Sequence, residues 1–124
     1  MISYQVYKLI HLLGIFCVIA SLAGLAFYTA NGGLKSNNKL RKQSGIFHGV
    51  GLLLILVAGF GMLARLGITQ FPWPGWVFAK FGVWIIFGGL YAAVMKNPTI
   101  AKVMWLIIPF LGLLSAYIAV MKPF

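Results

Sequence analysis

The residues able to carry chemistry in this sequence are two histidines, His11 and His48, and ten lysines and arginines, with no aspartate or glutamate. The lack of carboxylates excludes paired-acid general acid–base catalysis and carboxylate-ligated metal sites. It also removes the intramembrane acid that proton-coupled transporters usually carry. The single Cys17 excludes a disulfide within one chain and a thiolate metal cluster. Histidine ligation and anion recognition by cations are the chemistries that remain.

Four apolar stretches of about bilayer-spanning length must hold these side chains in place. We predict transmembrane helices over residues 5–30, 44–67, 75–96 and 102–121. The chain is 62% hydrophobic and only 8% charged, whereas a soluble domain averages about 25% charged residues. The sequence therefore predicts an all-α fold, an integral membrane four-transmembrane-helix bundle that forms one domain over residues 1–124 and is surrounded by the lipid bilayer. The first stretch is too long for a signal-peptide core and is expected to be retained.

The positive charges lie mostly in the short connections between the apolar stretches. This pattern is typical of the positive-inside rule and argues against nucleic-acid binding, which needs a solvated basic face. One side of the membrane is flanked by six cations, Lys35, Lys39, Arg41, Lys42, Lys96 and Lys102, and the other by four, Lys8, Arg65, Lys80 and Lys122. We therefore predict a bacterial-type inner (cytoplasmic) membrane protein with both termini in the periplasm.

Small and polar residues share one face of each of the first three helices. Spacings of three and four connect His11, Gly14, Val18, Ser21, Leu25 and Tyr28 in the first, Ser44, His48, Gly51, Ile55, Ala58, Met62 and Arg65 in the second, and Lys80, Trp84, Phe87 and Tyr91 in the third. Such faces indicate contact with other helices rather than with lipid. In the second helix, Gly45, Gly49, Gly59 and Gly61 are expected to add positions of close approach.

Two histidines in a four-helix membrane bundle suggest a b-type haem. His11 lies near one end of the first helix, and His48 lies near the opposite end of the second. At about 1.5 Å per residue, their depths in the bilayer differ by roughly 20 Å. Two axial ligands of one iron need nearly the same depth. We therefore predict that one protomer does not hold a single haem with both histidines, and His11 is the candidate metal ligand.

A polar cluster is expected at the depth of His11. It combines the cations Arg65 and Lys80 with Tyr117, and Lys8 and Lys122 lie at the rim. Cations without acidic partners are costly in lipid unless they reach the headgroups or meet an anion. The candidate cofactor-binding residues are His11, Lys80 and Arg65, with His48 and Tyr117 as secondary candidates. The anion would be haem b or a related porphyrin, a quinone headgroup or lipid phosphate. Snorkelling and ordinary hydrogen bonds between helices are the competing interpretations.

Two short segments resemble a known family. The segments Lys8-Leu9-Ile10-His11-Leu12-Leu13 and Gly75-Trp76-Val77-Phe78-Ala79-Lys80-Phe81 are similar to the J-type protoporphyrinogen oxidase (HemJ) group and to the related four-helix families of the CopD and SirB type. The resemblance implies haem binding by the histidine of the first helix and a functional role for later basic residues. His11 and Lys80 match that pattern, and Arg65 matches it loosely. The glycine-rich segment that begins at His48 is typical of a separate subfamily.

Two classes of function follow from these observations. In the first, the protein binds haem or a related porphyrin and acts in electron transfer between a porphyrin and a quinone, or in porphyrin oxidation, because no residue set here supports hydrolysis. In the second, it is a non-catalytic accessory subunit whose glycine faces pack into a homo-oligomer or a larger membrane complex. An anion or small-solute pathway through an oligomer is a third alternative. A visible absorption spectrum of the purified protein discriminates the first class from the second.

Overall fold

The computed structural model describes residues 2–70 and 72–123, and most of them are helical. Helix α1 spans Tyr4–Ala30, α2 spans Arg41–Arg65, α3 spans Gly75–Lys96 and α4 spans Pro98–Met121, with a short 3-10 turn at Lys35–Asn37 between α1 and α2. Each of these four helices is long and apolar enough to cross a membrane. The predicted all-α, four-helix transmembrane fold is confirmed.

The boundary between α3 and α4 is set by one asparagine–proline pair. The side-chain oxygen of Asn97 accepts hydrogen bonds from the backbone N–H groups of Thr99 and Ile100, at 3.0 and 3.2 Å. Pro98 occupies the first turn of α4, where its missing N–H is not needed. Helix α4 therefore begins at Pro98, and α2 begins at Arg41. Both begin earlier than residues 102 and 44, because the Asn97 cap starts α4 at Pro98 and a polar first turn extends α2 beyond its apolar stretch.

The helices alternate in direction, so the bundle has two chemically different ends. Near one end, Phe27 of α1 packs edge-to-face on Trp105 of α4, with the ring centroids 5.2 Å apart. At the same end, the Tyr91 hydroxyl of α3 donates a hydrogen bond to Ser44 of α2 at 3.0 Å. We call this the basic end, since it carries the lysine-rich connection at residues 35–42. The opposite end, where α1 and α3 start and α2 and α4 finish, is the termini end.

Helices α1 and α2 cross in backbone contact at a pair of glycines. A Cβ atom added to Gly51 would lie 2.8 Å from the carbonyl oxygen of Gly14, and one added to Gly14 would lie 2.7 Å from the carbonyl oxygen of Gly51. Both distances are shorter than real Cβ contacts, so only glycine fits at either position. This crossing is the small-residue packing that membrane helices use in place of a hydrophobic driving force.

Helix α1 is the central element, because it packs against each of the other three helices. Its apolar core residues meet those of α3 and α4 in one cluster: Val18, Leu22, Leu25, Ala26, Val83, Phe87, Val94, Ala101, Ile108 and Ile118. Helix α2 contributes no residue to that buried cluster and approaches α3 less closely. It is joined to α3 by side chains, including a hydrogen bond from the Trp84 indole N–H to the carbonyl oxygen of Leu52 at 3.0 Å.

The polar and small faces predicted for α1 and α2 are faces that the bundle buries, whereas in α3 only Phe87 of the predicted face is fully buried. All members of the α1 face are buried except Tyr28, which is partly exposed. In α2, the fully buried residues are His48, Gly51 and Ala58, and all three belong to the predicted face. The other glycines of α2 differ from one another. The ring of Tyr7 lies directly against Gly61, whereas Gly49 faces open space and allows no close approach.

Candidate functional site

A cavity of about 550 Å³ opens at the termini end and is lined by all four helices. Its wall is largely apolar, with residues such as Ile15, Leu63, Val83 and Phe87. The polar side chains on this wall are His11, Tyr4, Ser115 and three lysines, Lys8, Lys80 and Lys122. A mostly apolar cavity of roughly 300–1,000 Å³ with a few converging polar groups is the usual form of a site for a small molecule or cofactor.

The imidazole of His11 is held in one orientation on this wall. Its Nδ1 lies 2.9 Å from the carbonyl oxygen of Ile55 in α2, and since a carbonyl can only accept, Nδ1 carries the proton and donates. Gly59 lies beside the ring, since a Cβ atom at that position would be in van der Waals contact with Cε1 of His11, at 3.6 Å. In the neutral imidazole this tautomer leaves Nε2 unprotonated. No described residue forms a hydrogen bond with it.

Such a hydrogen bond to a backbone carbonyl is the arrangement that usually orients a metal-ligating histidine and fixes its tautomer. Within residues 2–70 and 72–123, no three histidine, cysteine or acidic side chains lie together to hold a bare metal ion. A haem iron has a smaller requirement, because the porphyrin nitrogens supply the equatorial ligands and the protein adds only an axial one. The donor set around His11 therefore fits haem better than it fits a free metal ion.

Three lysines surround the same cavity without any acidic side chain to neutralise them. Lys80 is half-buried one turn inside α3, and Lys122, at the end of α4, lines the same cavity. Lys122 places its Nζ atom over the Trp76 ring, 5.1 Å from the centroid, which is a cation–π distance. Because the sequence contains no aspartate or glutamate, an anion for these lysines must come from outside the chain's side chains.

Two of the predicted site residues lie elsewhere in the structure. The Nε atom of Arg65 donates a hydrogen bond to the carbonyl oxygen of Ile2 at 2.8 Å, which ties the segment before α1 to the end of α2. Tyr117 is 51% exposed on α4. Neither Arg65 nor Tyr117 lines the cavity. The structure therefore brings His11 and Lys80 together and leaves Arg65 and Tyr117 apart from them.

His48 lies in a separate place toward the basic end. It is 4% exposed, and its ring packs against that of Tyr91 with the centroids 4.5 Å apart. Its Nε2 atom is buried and has no hydrogen-bond partner among the described residues. His11 of α1 lies beside Ile55 and Gly59 of α2, the helix that also carries His48. Ile55 and Gly59 follow His48 by seven and eleven residues, so the two histidines differ in depth by roughly 10–17 Å at about 1.5 Å per residue. The separation is smaller than the predicted value of roughly 20 Å, but it is still too large for both histidines to ligate one iron.

Sequence reasoning placed Lys8 and Lys122 at the rim and did not foresee the positions of Gly59 and Trp76 beside His11 and Lys122. Gly59 was predicted as a position of close approach, but the ring on another helix that it contacts was not predicted. Comparisons of the chain with family models, with curated proteins and with solved structures found no match.

Proposed function

We propose that the cavity at the termini end binds haem b or a related porphyrin, with His11 as the iron ligand and Lys80 facing a carboxylate of the ligand. The observation that carries this proposal is the hydrogen bond from His11 Nδ1 to the Ile55 carbonyl. It leaves the Nε2 lone pair available beside a cavity of about 550 Å³ whose cations have no acidic partner in the sequence. The resemblance of the segments around His11 and Lys80 to the J-type protoporphyrinogen oxidase group points to the same ligand class.

The cations that line the cavity define the second half of the proposed site. Lys8, Lys80 and Lys122 belong to the wall, so they replace Arg65, whose guanidinium is bonded to the Ile2 carbonyl. A charge-assisted hydrogen bond to a buried carboxylate contributes about 1.5–3 kcal/mol. Lys80 is the strongest candidate of the three, because its position inside α3 keeps it from the solvent that surrounds a lysine at a helix end.

The proposed reaction class is electron transfer between a porphyrin and a quinone, or oxidation of the porphyrin. The cofactor would supply the redox chemistry, and this chain's residues would ligate, orient and neutralise it. The proposed location is the inner membrane with both termini in the periplasm, which rests on six cations at the basic end against four at the other.

The first experiment is a visible absorption spectrum of the protein, which is purified from membranes and then mixed with haem. We expect a Soret band that His11→Ala abolishes or shifts strongly and that added imidazole restores in this variant, since the substitution leaves space beside Gly59. His48→Ala is the matched control, because His48 lies outside the cavity, and it should keep at least partial occupancy. Equal loss from both variants with the fold intact would refute the assignment of His11.

The second experiment tests the carboxylate contact through Lys80. We expect Lys80→Gln to weaken retention of haem and of metal-free porphyrin by about 10-fold or more, which corresponds to the loss of one charge-assisted hydrogen bond. Lys96→Gln removes the same charge from the other end of α3 and should change retention by less than about threefold, as expected for an exposed, screened charge. If the two variants retain the ligand equally, Lys80 acts only as a membrane anchor.

A second candidate function is that of a non-catalytic subunit in a homo-oligomer or a larger membrane complex. One observation favours it: Gly82 and Gly89 lie two turns apart on α3 and face open space, beside the exposed Ile85. Small residues on an outward face allow another helix to approach closely. A colourless protein that co-purifies with fixed partners would support this function and would contradict haem binding.

A further inference from the structure

The space between α1 and α2 differs on the two sides of their glycine crossing. Toward the termini end, the side chains of His11 and Tyr7 occupy the space, the Tyr7 ring lying against Gly61. Toward the basic end, a groove of about 510 Å³ stays open between the two helices. The groove has no part in the haem proposal, because none of its residues lines the cavity at the termini end.

The groove is polar at its mouth and largely apolar further into the membrane. Asn38 and Gln43 line it at the level of the connection between α1 and α2, and Leu25 and Phe47 line it deeper. The hydroxyl of Ser21, at the deep end, donates to the carbonyl oxygens of its own helix. Along α1 the groove extends from Tyr28 to Ala20, a length of about 12 Å at 1.5 Å per residue. This is the gradient of polarity that a single phospholipid has, from headgroup to acyl chain.

The mouth of the groove carries a dense positive charge. Lys35, Lys39, Arg41 and Lys42 are all exposed and lie within eight positions of the sequence. Asn38, Leu40 and Gln43, which alternate with them, line the groove itself. The sequence has no acidic side chain to neutralise these cations. Basic clusters beside a transmembrane helix attract anionic lipid, and basic pockets between helices bind lipid headgroups.

We propose that this groove is a binding site for one anionic phospholipid. The phosphate lies at the mouth among the cations of residues 35–42, and an acyl chain lies between α1 and α2 along Leu25 and Phe47. Charge complementarity selects an anionic lipid over a zwitterionic one. The Gly14–Gly51 crossing determines how far the chain reaches, because the two backbones meet there.

A steric test uses two glycines that differ only in their relation to the groove. A Cβ atom at Gly24 or at Gly49 would meet no atom within 4 Å, so leucine at either position should preserve the fold. Gly24 lines the groove, whereas Gly49 does not. We expect Gly24→Leu to abolish tight binding of phosphatidylglycerol and Gly49→Leu to preserve it. The measurement is native mass spectrometry of the full-length protein in detergent, titrated with phosphatidylglycerol or phosphatidylcholine.

A charge test uses pairs of lysines at the same end of the bundle. Removing Lys39 and Lys42 together, as Lys39→Gln with Lys42→Gln, should weaken phosphatidylglycerol binding about 30-fold, given the usual contribution of each basic residue near an anionic surface. The control pair, Lys96→Gln with Lys102→Gln, removes the same charge from α3 and α4, outside the groove, and should change binding less than about threefold.

The outcomes separate a defined site from general attraction to lipid. One phosphatidylglycerol that binds at equimolar ratio and is lost in Gly24→Leu supports the groove. Equal binding of phosphatidylcholine, equal effects of the two lysine pairs, or unchanged binding in Gly24→Leu would each overturn the proposal. A Gly24→Leu variant that loses self-association instead of lipid would show that the groove accepts a second copy of the chain.

Discussion

The crossing of α1 and α2 gives the sharpest prediction, because two glycines two residues apart in α2 have opposite surroundings. At Gly51 a Cβ atom would lie 2.8 Å from the Gly14 carbonyl oxygen and 2.9 Å from Cβ of Cys17, whereas at Gly49 it would meet nothing. The oxygen belongs to backbone and cannot rotate away. Gly51→Ala must therefore push the two helices apart.

The magnitude follows from the difference between two alanine variants. Gly49→Ala should stabilise the protein by up to about 1 kcal/mol, because alanine favours a helix over glycine. Gly51→Ala gains the same helix propensity but adds an overpacking cost of about 1–3 kcal/mol. We therefore expect Gly51→Ala to be less stable than Gly49→Ala by about 1–3 kcal/mol. Reversible unfolding in mixed detergent micelles, followed by circular dichroism, measures this difference.

The crossing also bears on the candidate site, since Ile55 lies one turn beyond Gly51 in α2. Its carbonyl oxygen accepts the hydrogen bond that fixes His11. Displacement of α2 at Gly51 should lengthen that bond, so ligand retention should fall in Gly51→Ala and not in Gly49→Ala. Equal stability of the two variants would refute the backbone contact, and with it the explanation of how α2 reaches His11.

Three further predictions concern packing and topology. Gly61→Ala should cost less stability than Gly51→Ala, because the obstructing group is the Tyr7 ring, which can turn toward lipid; equal costs in unfolding experiments would contradict this. Trp84→Phe should lower stability by about 1 kcal/mol through loss of the hydrogen bond to the Leu52 carbonyl, and an unchanged unfolding midpoint would show that the bond contributes nothing. A reporter at the C terminus should behave as periplasmic and one within residues 35–42 as cytoplasmic, and the opposite result would reverse the orientation.

The sequence alone determined the number of helices and the faces that α1 and α2 bury. Lipid is the only solvent for a chain that is 62% hydrophobic and 8% charged, and a helix is the simplest structure that satisfies its own backbone in lipid. The 3.6-residue period then fixes which residues of one helix share a face. For that reason His48, Gly51 and Ala58 were placed together correctly, and all three are buried.

Only the tertiary structure decided which residues of different helices meet. Periodicity gives a direction on one helix but not the rotation of one helix against another, and the long side chains of lysine and arginine can reach several partners. Arg65 and Lys80 lie at the same end of the bundle by sequence. Arg65 nevertheless binds the Ile2 carbonyl while Lys80 lines the cavity. The free Nε2 of His11 depends in the same way on the Ile55 carbonyl of another helix, because a histidine's tautomer is set by its partner and not by its position in the sequence.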